Sequence, residues 1–178
     1  RIEDAGLNAS APPQQRLLDG WLLRFSPGKA KRARCINALS AGRLPLAEKL
    51  ASCEQAYALA GLPMIVRITP FSAPQGLDGA LADSGLLRFD DTRVMVLPSL
   101  QDLEGIPLDE PRLCGVSAQD YAHAIGTLRG SSPEQRAAHG ERLRLAPVPH
   151  RGFLLRRGGA VVACGQYAVE SEIVGLYD

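Results

Sequence analysis

The chain has 178 residues, 46% of them hydrophobic and 22% charged, a mix that excludes disordered, collagenous and membrane-embedded classes. Its 20 Lys and Arg against 19 Asp and Glu leave a net charge of +1, so no global field draws it to nucleic acid. No apolar run approaches the roughly 18 residues needed to cross a bilayer, and no membrane partner is expected.

In chain order, residues 1–19 are polar, contain Pro12-Pro13 and show no apolar signal core. Residues 20–26, GWLLRFS, read as a strand closed by Pro27-Gly28, with Trp21, Leu23 and Phe25 on one face. A hairpin partner is expected near residues 32–39. A helix follows: Pro45 suits its first turn, Leu46, Leu50, Cys53, Tyr57 and Ala60 form its apolar stripe, and Gly61 with Pro63 stops it. Glu48, Lys49 and Glu54 fall on the opposite, solvent face. MIVRIT at 64–69 reads as a strand covered on both sides. Ser72-Ala-Pro-Gln75 has the form of a capping box opening a short helix through Leu77 and Leu81 to Gly85. LLRFDDTRVMVL at 86–97 reads as two strands about Asp90-Asp91, and residues 98–111, rich in proline and acid, read as a boundary.

Beyond it, Ser117 caps a helix through Tyr121, Ile125 and Leu128, and Ser132-Pro-Glu-Gln135 opens a second, charged helix to about Leu145. HRGFLLRR, the Gly158-Gly159 turn, AVVACGQYAVE, the Ser171-Glu172 turn and IVGLYD then form a three-stranded meander. Strands alternating with helices of this length indicate an α/β or α+β sheet fold. Cys35, Cys53, Cys114 and Cys164 are widely spaced, lack a C-x-x-C pair and lie in apolar segments. They read as buried small hydrophobes in a cytoplasmic protein, and no metal site is expected. The histidines His123, His139 and His150 have no nucleophile-like neighbours. The basic run Lys29, Lys31, Arg32 and Arg34 reads as a solvated hairpin.

Two helices followed by an antiparallel meander, as in residues 117–178, resemble the first half of the GCN5-related N-acetyltransferase fold. FLLRRGGAVVACGQYAVESEIVGLYD has the texture of that family's strands leading to acetyl-CoA. Residues 45–97 resemble the family's second half: a long helix, a buried strand, a short helix ending in Gly85-Leu86 and a strand pair. The resemblance implies a mixed, mainly antiparallel acyl-CoA N-acyltransferase-like sheet flanked by helices. It divides the chain into a degenerate lobe at 1–99, a linker at 100–116 and the first half of a second domain at 117–178. It departs from the family where Ser40-Ala-Gly-Arg-Leu-Pro45 replaces the glycine-rich pyrophosphate loop and where Leu81 stands in place of the acid tyrosine. The loop of the second unit is expected beyond Asp178, which would make the chain a fragment.

On this resemblance Gly175, Leu176, Tyr177 and Asp178 form the edge that binds the pantetheine arm of acetyl-CoA. Glu170 and Glu172 are the candidate bases for a small-molecule or peptide amine. Two alternatives stay open: a non-catalytic binding or regulatory module of the same fold, and pairing of the two sets of elements into one permuted sheet or across a homodimer through the C-terminal strand.

Overall fold

A computed structural model describes residues 1–101 and 112–177. The chain is mixed α and β, with two mostly antiparallel four-stranded sheets in the orders β1-β2-β3-β4 and β5-β6-β7-β8. The permuted single sheet is therefore not formed among the described residues.

The polar N-terminus holds two unexpected elements, helix α1 (Ile2–Ala9) and strand β1 (Gln14–Leu18). β1 pairs with β2 (Trp21–Phe25) across Asp19-Gly20, both with positive φ (43° and 83°), the geometry a two-residue hairpin turn requires. The basic run makes a 3₁₀ turn at Lys31–Ala33, so the partner strand β3 is short, Ile36–Ala38, and antiparallel to β2. Helix α2 (Leu46–Leu59) crosses back to β4 (Val66–Arg67), parallel to β3. MIVRIT is thus a two-residue edge strand with half-buried side chains, not a covered central one. The expected capping box at Ser72 is absent because its Oγ is engaged one turn earlier, accepting the Thr69 N–H at 2.9 Å. Helix α3 (Leu77–Asp83) starts instead after a left-handed Gly76. Residues 86–97 form no strand and pair with none of the described strands, and Leu87 and Met95 are about nine-tenths exposed, at 89% and 92%.

Trp21, Leu23, Ile36, Cys53, Tyr57 and Leu77 make the first core. Tyr57 carries a polar lock, since its hydroxyl donates to the Arg24 carbonyl at 2.9 Å and accepts the Arg24 N–H at 3.3 Å. Tyr57→Phe strands both backbone groups and is expected to cost about 1.5 kcal/mol in urea unfolding. A loss below about 0.5 kcal/mol would show that the lock contributes nothing net.

Lys49 was expected in solvent but is 1% exposed. Its Nζ meets Asp19 Oδ2 at 2.8 Å and the carbonyls of Asp19 and Ala41 at 3.0 and 2.6 Å, and it stands 5.0 Å from the Trp21 ring centre. The Asp19 carboxylate also accepts the N–H groups of Arg43 and Leu44 at 2.9 Å. Gly42, with φ of 72°, lies against Asp19 where a side chain has no room. Hairpin turn, loop and helix α2 are thereby tied at one point.

The second lobe starts with a strand inside the expected linker, β5 (Arg112–Val116), paired with β6 (His150–Arg157). Between them lie α4 (Ala118–Leu128), capped by Ser117, and α5 (Pro133–Arg144), opened by the reciprocal Ser132–Gln135 box as read from the sequence. β7 (Ala160–Glu170) and β8 (Ile173–Tyr177) complete the meander. Tyr121, Ile125 and Leu143 form its small core. Gly152 on β6 makes room for Tyr121, since a Cβ there would stand 2.7 Å from the Tyr121 Cβ and 2.9 Å from its ring.

Candidate functional site

The alternation of β8 sorts the candidate residues into two faces. Ile173, Gly175 and Tyr177 are half-buried, whereas Val174 and Leu176 point outward, Leu176 being 84% exposed. Among the described residues β8 is an edge strand, with β7 on one side only. Tyr177 folds back over Gly175. Asp178 lies outside the described residues.

Helix α1 lies against β7 and β8 and fixes the two carboxylates. Glu170, at the end of β7, is half-buried and accepts Asn8 Nδ2 through both oxygens, at 2.8 and 3.1 Å. Glu172 is exposed in the turn and pairs loosely with Arg1 at 3.3 Å. A cavity of about 100 Å³ opens here, lined by Arg1, Asp4, Ala5, Glu170, Ser171 and Ile173. The structure thus separates the two proposed bases: Glu170 is oriented beside a cavity, and Glu172 stands in solvent.

The opposite side of α1 faces the first lobe and a set of polar side chains that no expectation above includes. Arg24, on β2, is 2% exposed and donates through Nη1 to Ser10 Oγ at 3.2 Å and through Nη2 to the Leu7 carbonyl at 2.9 Å. Arg67, on β4, pairs with Glu3 at 2.8 Å. Arg142, on α5, is 5% exposed and reaches the Ala9 carbonyl at 3.4 Å. Burial pulls the Arg24 guanidinium down to about 10 and lowers Arg142 too. Desolvation also raises the Cys35 thiol and the Tyr177 hydroxyl, the latter within the fields of Arg32, Glu170 and Glu3. Both stay neutral near pH 7. The basic run lies in the β2–β3 connection with Lys29 and Lys31 exposed, as expected, but it also touches neighbouring elements: Lys29 donates to the Arg129 and Gly130 carbonyls, Lys31 pairs with Asp90 at 2.8 Å, and Arg32 lies against Gly6.

One sequence signal could have exposed this cluster. Arg24 in WLLRF and Arg67 in MIVRIT sit mid-strand among apolar residues, where a charge needs a buried partner. All four cysteines are free thiols, and no cluster of metal-ligating side chains occurs among the described residues. No family model matches this chain, and neither a curated protein nor a solved structure matches it.

Proposed function

We propose that the protein is an acyl-CoA N-acyltransferase-like enzyme that moves an acetyl group from acetyl-CoA to a primary amine. The observation that carries this reading is the element order β5-α4-α5-β6-β7-β8, an antiparallel meander ending in a free edge whose first residues follow an oriented carboxylate. The unpaired side of β8 offers backbone groups to a pantetheine arm as an added strand would. Glu170 is the base: it takes a proton from the ammonium, directly or through water in the adjoining cavity. The freed nitrogen attacks the thioester carbonyl and the C–N bond forms; as the C–S bond breaks, the nitrogen gives up its second proton to solvent, and the coenzyme A thiolate leaves and takes a proton from solvent. Asn8 positions the Glu170 carboxylate.

Acetyl-CoA titrated calorimetrically into the full chain tests binding, and thiol release with a panel of primary amines tests transfer. Glu170→Gln is expected to lower kcat about 10² to 10⁴-fold with acetyl-CoA affinity unchanged. Heat of binding without thiol release from any amine would replace the enzyme with a non-catalytic acetyl-CoA-binding module. Absence of binding would overturn both.

A further inference from the structure

Helix α1 presents one face to a row of arginines. Glu3, Gly6, Leu7 and Ser10 are spaced as one side of a helix, and in that order they meet Arg67, Arg32 and, for the last two, Arg24. Arg142 joins the row at the Ala9 carbonyl. These guanidinium groups come from β2, the 3₁₀ turn, β4 and α5, and Arg24 lies within the electrostatic reach of the other three.

Their counter-charges are few. Among the described residues Glu3 is the carboxylate that pairs with the row, through Arg67, while Glu170 is held by Asn8. Tyr177 and Cys35 face the cluster as neutral groups. The most buried member, Arg24, is matched by a hydroxyl and a carbonyl, and its Nε is buried without a hydrogen-bond partner. Buried charge of this density is ordinarily matched by charge. Here the negative end of the α1 dipole stands in its place, with the carbonyls of Leu7 and Ala9 on Arg24 and Arg142. An eight-residue helix has little stability of its own, so its grip depends on these contacts.

We infer that the row Arg24, Arg32, Arg67 and Arg142 is a binding site for a small oxyanion, a phosphate or carboxylate group, and that α1 is the lid whose C-terminal carbonyls the anion replaces. Guanidinium groups bind both kinds of oxyanion through paired N–H donors, more strongly than they bind neutral carbonyls. The inference does not depend on acetyl transfer.

Inorganic phosphate followed by phosphorus NMR, and succinate followed by calorimetry, test it on the full chain without acetyl-CoA. Saturable binding of either anion near about 1 mM is expected, with faster hydrogen exchange of the amides of α1 on binding. The anion that saturates identifies the chemistry the site prefers. Arg32→Gln, at a half-exposed position that leaves both cores intact, is expected to weaken binding about tenfold. Glu3→Gln, which frees Arg67, is expected to tighten it about threefold. The inference is overturned if neither anion saturates, if both variants bind as the parent does, or if binding leaves exchange in α1 unchanged.

Discussion

Replacing Lys49 with methionine is expected to lower the stability of the first lobe by about 3 kcal/mol, because removing one partner of a buried ion pair leaves the other charge and its polar neighbours uncompensated. The Nζ that disappears serves the Asp19 carboxylate, two backbone carbonyls and the Trp21 ring. Methionine fills most of the volume, so the loss is one of charge and hydrogen bonds, not of packing. Urea unfolding followed by fluorescence of Trp21, the single tryptophan, reads this lobe. A change below about 1 kcal/mol would mean that the desolvation of Lys49 cancels its contacts. Acid acts on the same knot. The Lys49 ammonium and the Leu44 and Arg43 N–H groups hold Asp19 at about 2, against 3.8 for the free side chain. A carboxylate depressed in this way stabilises the fold fully above pH 4 and loses that contribution as pH falls from 4 towards 2. Asp19→Asn should therefore unfold at lower urea than the parent at pH 6, and the gap between the two should close as pH approaches 2.

Tyr121→Ala is expected to cost the second lobe about 4 kcal/mol, enough to unfold it near room temperature. The ring is fully buried, packs edge-on against His139 at 5.9 Å and rests on Gly152, in a core whose other buried members are Ile125 and Leu143. With so few large side chains, no neighbour can close the cavity. Loss of exchange protection in the strand amides of β6 and β7, with Trp21 fluorescence unchanged, is the expected signature. Loss of both signals together would show that the two cores unfold as one unit, and retention of protection would show that the ring is dispensable.

The second lobe was legible because its signals are local. Ser117, the Ser132–Gln135 box, the Gly158-Gly159 turn and the Ser171-Glu172 turn each act within four residues, and each takes the conformation its sequence favours. The first lobe was less so. The Asp19-Gly20 pair is a hairpin turn signal, yet β1 is nearly all exposed, and QQRLL shows none of the alternation that marks a half-buried strand. Residues 86–97 carry strand-forming side chains without a partner strand, and a strand exists only by pairing. The carboxylates Glu170 and Glu172 could be placed at the head of β8 from sequence, but not told apart. What separates them is Asn8, 162 residues away from Glu170, and the arginine row is likewise assembled from elements that only tertiary structure brings together.

That long reach has a consequence for how the chain matures on the ribosome. Asn8 of α1 and Arg1 just before it meet Glu170 and Glu172, at separations of 162 and 171 residues, so α1 docks only after the β7–β8 hairpin has been made. Until then Arg24 and Arg67 wait beside a cleft not yet closed. Helix α1 is therefore the clasp of the fold, synthesised before the two lobes and fastened after them, and its docking reports that both are in place.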